Sequence, residues 1–434
     1  MTMINAYDPG RAELGAADRA LVARRERVLG PAYRLFYERP VHVVRAEGCW
    51  LYGPDGEAYL DAYNNVASVG HCHPRVVDAI ARQAARLNTH TRYLNELVVD
   101  YAERLTATLP AEVSQVMFTC TGSEANDLAL RIARACTGAE GVIITETAYH
   151  GVTAAIAELS PSLGPGNRLG AHVRTVPAPD ARRLGEPLEA AFAAGVRAAV
   201  ADLHKSGLRP AALLVDTIFS SDGVFAEPAG FLAEAVDAVR EAGGLFIADE
   251  VQPGFGRTGR KFWGFEAHGV VPDLVTMGKP MGAGHPLAAV AARPEVVEPF
   301  GRNCRYFNTF GGNPVSCAAG MAVLDVIEDE RLMQNAAEVG AYLKAALEAI
   351  DHPLIGEVRG AGLFIGVELV SDRAAWTPAA DAANRIVQGM RERRVLISAT
   401  GPRANVLKIR PPMVFDKGHA DHFLAAFEDT LAAL

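Results

Sequence analysis

Short, nearly unbroken apolar runs recur through the middle of the chain, among them VMFT (116–119), VIIT (142–145), LFIA (245–248) and LVTM (274–277). Runs of this kind suit strands buried on both faces of a sheet, where no polar alternation is needed. From about residue 70 to 320 they alternate with longer helical stretches, the pattern of a parallel sheet wound with helices. Upstream, residues 1 to about 40 are charged and Ala-rich and predict a helical arm. VHVVRAEGCWLYGPDGEAYLDAYN (41–64) then predicts a strand pair turning at Pro54-Asp55-Gly56. GGNPVSCAAGMAVLDVIEDERL (311–332) opens a long helix leading into a segment, about 325 to 434, that alternates helix and strand again and carries Arg359 and Arg410. The expected organisation is an arm and strand pair at 1–69, a large domain at 70–324 and a C-terminal domain at 325–434.

Two of the runs end in residues that carry chemistry. LFIADEVQPGFGRTG (245–259) sets Asp249 at the end of one predicted strand, and LVTMGKP (274–280) places Lys279 just past the end of the next. In an open α/β sheet, ligands bind beyond the carboxyl ends of the strands, so an acid and an amine arriving there together can hold one cofactor from two sides. Pyridoxal phosphate fits both: its aldehyde takes a lysine as a Schiff base, and its ring nitrogen takes a carboxylate that keeps it protonated. Alone, the pair also fits a helix cap and a solvated lysine. VMFTCTGSEANDLALRIAR (116–134) adds a strand, a turn and a helix, with Gly122 and Ser123 where the helix begins. Backbone N–H groups at a helix start make a phosphate seat; an ordinary N-cap at Ser123 is compatible with it. VIITETAYHG (142–151) ends in Tyr149 and His150, rings suited to stacking on a flat heteroaromatic group.

With these residues in place the chain resembles the class III aminotransferase family, enzymes of fold-type I that use pyridoxal phosphate. The strings TGSEAND, AYHG, FIADEVQ, GFGRTG, VTMGKP, FNTFGGNPVSCAAG, VRGAGLFIGVEL and LKIRPP carry the resemblance from about residue 30 onward. It implies an α/β fold with a large, mainly parallel sheet domain and a smaller domain built from the N- and C-terminal segments. It makes Lys279 the Schiff-base lysine and Asp249 the partner of the ring nitrogen. It places Gln252 near the cofactor's phenolic oxygen, Gly122 and Ser123 on its phosphate, and Tyr149 against its ring. Thr309 would reach the phosphate of a neighbouring subunit's cofactor, so a homodimer, with a tetramer as a further possibility, is the expected assembly.

The pocket segment departs from the common transaminase pattern. Where many family members have E-P-x-x-G-E-G-G, this chain has DTIFSSDGV (216–224), with Asp216, Ser220 and Ser221 in place of the glutamates. In NNVASVGHCHP (64–74), VTMGKPMGAGHP (275–286) and VLISATGPRANVLKIRPPM (395–413) the chain is similar to the O-phosphoethanolamine phospho-lyase branch. The expected reaction is elimination of phosphate from a small phosphorylated amine. A class III ω-aminotransferase is the alternative, and a nicotinamide-dependent oxidoreductase is the remote one. Arg410 is the first candidate for the substrate anion because a guanidinium fork matches carboxylate or phosphate. Tyr33 and Asn64 are candidates for the entrance. Arg257, Arg260 and Lys261 could face a phosphate or form surface ion pairs.

Two motifs mislead. GFGRTG (254–259) satisfies the dinucleotide fingerprint but runs into RKFWGFE, too bulky for a helix packed closely on a sheet; its glycines would instead let a loop pass close to the cofactor. His71-Cys72-His73-Pro74 resembles a metal cluster, yet adjacent residues cannot easily face one ion, so no metal is expected. A formal net charge of -9 and the lack of a basic stripe argue against nucleic acid, and no apolar run approaches the ~18 residues of a membrane span. Six cysteines in 434 residues are too few for a disulfide scaffold. MTMINAYDPGRAELG has no apolar core for a signal peptide, so a cytoplasmic enzyme is expected.

Overall fold

The seven-stranded sheet at the centre of the molecule owes its position to residues that are apolar on both faces. The computed structural model describes residues 3, 5–11 and 13–434. The strands are β1 (Gln115–Thr119), β2 (Gly141–Thr145), β3 (Val173–Val176), β4 (Pro210–Asp216), β5 (Leu245–Asp249), β6 (Leu274–Met277) and β7 (Ala288–Ala292). Their order across the sheet is β1-β7-β6-β5-β4-β2-β3. The run from β3 to β6 is parallel. Only β7, Ala-rich and helical by composition, runs antiparallel to both of its neighbours. Successive side chains point to opposite layers. Leu213, Val215, Phe246, Ala248 and Val275 join one core. Ala212, Leu214, Ile247 and Leu274 join the other, beneath the Gly122–Thr137 helix.

The chain's two ends share a further core. Arg45–Glu47, Trp50–Tyr52 and Ala58–Asp61 form three strands where the sequence predicts a pair, because the chain reverses at Gly48 as well as at Pro54-Asp55-Gly56. The third pairs in parallel with Val395–Leu396, and Leu60 packs with Leu396, Phe423 and Phe427. An antiparallel sheet of Ile355–Ala361, Phe364–Asp372, Val406–Ile409 and Ser398–Thr400 completes this unit. In the described part of the arm, Ala16–Leu29 is helical, with none of its residues buried.

Both misleading motifs resolve into packing. Residues 254–259 form turns, not a helix start, and their glycines approach protein rather than the cofactor cleft. A Cβ on Gly259 would lie 2.6 Å from Ala337, and one on Gly254 would lie 2.9 Å from Trp263. The sequence expectation of a loop passing near the cofactor is corrected accordingly. His71 bonds Asp61 at 2.7 Å, while His73 accepts from the Arg75 amide and bonds Glu330 at 3.0 Å, so each ring has its own partner. No helix among the described residues is long and apolar enough to cross a membrane.

Candidate active site

Parallel pairing of β5 with β6 sets Asp249 opposite Thr276, three residues before Lys279, and so delivers both groups to one end of the sheet. They line a cleft of about 340 Å³ together with Gly122, Ser123, Tyr149 and Gln252. His150 also lines it, in a different role from the stacking ring expected. Its ring is buried and its Nδ1 lies 2.7 Å from Asp249 Oδ2. The side chain of Asn126 donates to the same oxygen at 2.9 Å, and the amide of Val251 donates to Oδ1 at 3.1 Å. Asn126 is itself fixed, its oxygen accepting from Thr276 at 2.6 Å. The acid is thus held by three donors and aimed into the cleft. Asn126 went unnoticed in the sequence, although its place one helical turn after Gly122 puts it on the same face.

The Gly122–Thr137 helix starts at the cleft. Its N-cap is Thr121, not Ser123: the Thr121 hydroxyl and the Glu124 carboxylate close a capping box. Ser123 is left to accept from the Val152 amide at 3.1 Å. The backbone here allows little bulk. A Cβ on Gly122 would lie 2.9 Å from Val251, and Gly278 packs against Gly122 itself. Gly151, at φ +140, brings the Tyr149 loop so close to Ser123 that a Cβ would lie 2.5 Å from its hydroxyl. Free amide donors at a helix start, small walls, a buried carboxylate and an amine form a donor set that fits the phosphate, ring nitrogen and aldehyde of pyridoxal phosphate. Lys279 would take the aldehyde, Asp249 the ring nitrogen, Gly122 and Ser123 the phosphate, and Tyr149 the ring face.

Burial and the nearby Arg410 push the Lys279 amine down to about 8, against the opposing pull of Asp249 and Asp216. Asp216, at the end of β4, is pushed up by burial and by Asp249 while accepting from Ser220 and the Ile218 amide. Gln252 donates to Ser220 Oγ at 2.6 Å and accepts from Arg410 Nη1. It therefore joins the cleft to a wider one of about 1170 Å³, lined by Tyr33, Tyr63, Lys408 and Arg410.

In this outer cleft Arg410 is buried, with its guanidinium carbon 4.4 Å from the centre of the Tyr63 ring. Tyr33 is exposed at the rim. Asn64, an expected entrance residue, lines neither cleft: its side-chain oxygen accepts from the Val66 amide in a local turn, and Tyr63 takes the place foreseen for it. Arg257 is neither substrate-facing nor on the surface. It is buried and donates to the carbonyls of Leu363 and Pro411, tying the glycine loop to the C-terminal sheet. Arg260 reaches Glu227 at the surface, and Lys261 is exposed. Arg359 pairs with Glu357 and Glu368. Thr309 is exposed and lines neither cleft. Lys408, missed in the sequence, was signalled by its spacing: it lies two residues from Arg410 in LKIR, and both line the outer cleft.

The "Aminotransferase class-III" family model matches residues 36–431. An "alanine–glyoxylate aminotransferase 2-like" protein of Drosophila melanogaster is 42% identical, covering 94% of this chain and 86% of its own. An "ethanolamine-phosphate phospho-lyase homolog 1" of Caenorhabditis elegans is 37% identical, covering 95% and 93%. A solved phospholyase from Arthrobacter in complex with phosphoethanolamine superposes with a TM-score of 0.92 at 45% identity, covering 95% of this chain and all (100%) of that one.

Proposed function

The chain belongs to the class III aminotransferases, whose cofactor is pyridoxal phosphate, and from that premise we propose that it is a lyase eliminating phosphate from a small phosphorylated amine such as O-phosphoethanolamine. The observation that carries this reading is the charge at the outer cleft. Arg410 and Lys408 are both buried there, and neither makes an ion pair with a carboxylate among the described residues. The DTIFSSDGV segment adds Ser221 to this cleft and links Ser220 to Arg410 through Gln252, and Asp216 is engaged by Ser220 and backbone amides. Buried cations without counter-ions are costly, so such a pair calls for an anion supplied by the ligand. A phosphate monoester, with up to two charges and three terminal oxygens, suits two cations better than a single carboxylate does.

When bound, pyridoxal phosphate supplies an electrophilic carbon for the substrate amine and a ring that stores an electron pair. Asp249, fixed by Asn126 and His150, favours the ring's protonated form. The Lys279 amine, disfavoured as an ammonium in this cleft, removes the proton from the carbon bearing the amine. The C–O bond on the next carbon then breaks, its electron pair leaving with phosphate, which Arg410 holds. One water completes the hydrolysis to acetaldehyde and ammonia, with no net oxidation. Relatives named as aminotransferases support a second reading, in which no phosphate is lost and an amino group is transferred to a keto acid.

Thr309 and its neighbour Phe310 lie exposed outside both clefts, and Tyr93 and Leu94 are also exposed. Exposed apolar side chains of this size support a homodimer in which Thr309 serves the partner's cofactor. The deciding experiment mixes the pyridoxal-phosphate-loaded protein with O-phosphoethanolamine and no keto acid, then measures phosphate and acetaldehyde. Catalytic release of both is expected. No release, with conversion of the cofactor to its amine form by simple amines and reversal by pyruvate, would assign the chain to the transaminases.

A further inference from the structure

Lys408 is an unusual lysine. It is only 6% exposed, it occupies the strand Val406–Ile409 between Gly366 and Ser398, and its ammonium donates no hydrogen bond to any described residue. The ammonium lies over the Phe364 ring, 5.7 Å from its centre, a weak cation–π contact that provides no anionic acceptor. Lysines are almost never buried unless paired, so an unpaired one lining a cleft needs an explanation.

The surroundings leave it available. The acids that face it electrostatically are Asp216 and Asp222, and the cations are Arg410 and Lys279. Asp222 accepts from Thr145 at 2.7 Å and from Thr147. Asp216 accepts from Ser220 and the amides of Ile218 and Ser220. Neither acid forms an ion pair with Lys408. Arg410, by contrast, is partly committed, donating to Gln252 and lying over Tyr63. Arg410 follows the end of this strand by one residue and lines the same cleft as Lys408, which lets both cations approach a single tetrahedral anion. Burial and Arg410 hold the Lys408 ammonium well below its ordinary pKa. A ligand anion would therefore be bound together with its charging.

Building on the lyase reading, we propose that Lys408 is the residue that binds the substrate's phosphate and selects phosphorylated amines over amines that carry a carboxylate or no anion. Arg410 can grip two oxygens through its fork, whereas a carboxylate offers only two. The third oxygen of a phosphate is the one that a separate, compact ammonium can take.

The test uses Lys408→Met and Lys408→Arg in the cofactor-loaded enzyme. Titration calorimetry with inorganic phosphate, the released product, reads binding without turnover. Losing a hydrogen bond to a charged group weakens binding by about ten- to a hundredfold, so K408M is expected to lose affinity in that range. K408R should retain more of it. With an unphosphorylated amine as competitor, the ratio of its inhibition constant to the KM for O-phosphoethanolamine should fall at least about tenfold in K408M. A merely structural role would move both constants together. Unchanged phosphate affinity in a K408M holoenzyme with a normal cofactor spectrum would overturn the role of Lys408 alone. Failure of the parent enzyme itself to bind phosphate and release it from O-phosphoethanolamine would overturn the lyase reading, and Lys408's role with it.

Discussion

Replacing Lys279 with methionine should stabilise the cofactor-free protein at neutral pH, and the gain should disappear in alkali. The cleft holds the Lys279 amine down to about 8, from an ordinary 10.5, because burial and Arg410 disfavour the ammonium more than Asp249 and Asp216 favour it. That difference corresponds to about 3 kcal/mol against the charged form. Contact with cleft water and reorganisation of the neighbours lower the expected effect to about 1–3 kcal/mol. Below pH 8 both the folded and unfolded chains carry the proton, and the fold bears the full penalty. Between about 8 and 10.5 the folded lysine loses its proton first, the unfolded chain binds more protons, and stability rises with pH; above 10.5 both forms are neutral and the penalty is gone. Methionine matches the aliphatic stem without the charge. Urea midpoints of parent and K279M, compared without cofactor at equal protomer concentration and at pH about 7, 8.5 and 10, test this. A variant no more stable than its parent at pH 7, or a gap that does not shrink with pH, would refute the electrostatic account of Lys279.

Gly151→Ala must place a methyl within 2.5 Å of Ser123 Oγ at a backbone φ of +140. It should cost about 1–3 kcal/mol of stability and weaken pyridoxal phosphate binding by about tenfold, as fluorescence titration of the apoprotein would show; unchanged affinity would separate this loop from the phosphate seat. Asp249→Asn keeps the size of the side chain but removes the carboxylate that His150 and Asn126 orient. Turnover should drop by about a hundredfold or more while Lys279 still captures the cofactor, so full activity in a colour-retaining D249N would exclude Asp249 as the ring-nitrogen partner.

The local sequence was enough to place Asp249, Lys279, Gly122 and Ser123 at strand and helix ends. Unbroken apolar runs have few ways to fold other than as strands buried on both faces, and the residues just past such a strand emerge at the sheet's edge. The family motifs added Tyr149 and Gln252, which line the same cleft. Positions that depend on which strands become neighbours were decided only in three dimensions. His150 turned from an expected stacking ring into the support of Asp249, because the strand order β4-β5-β6 and the loop after β2 bring the two together across 99 residues of chain. Asn64 was lost to a local turn, and Arg257 was buried as a tie between the glycine loop and the C-terminal sheet. Lys408 shows the division most plainly. Its alternation with Arg410 is readable in LKIR, but a lysine inside an apolar strand reads equally as an edge residue facing water. Only the packing of that strand between Gly366 and Ser398, over the cleft that holds Lys279, buries its charge and leaves it without a partner. The physical reason is range: periodicity and turn chemistry act within a few residues, whereas desolvation and charge balance depend on every element that closes over a site.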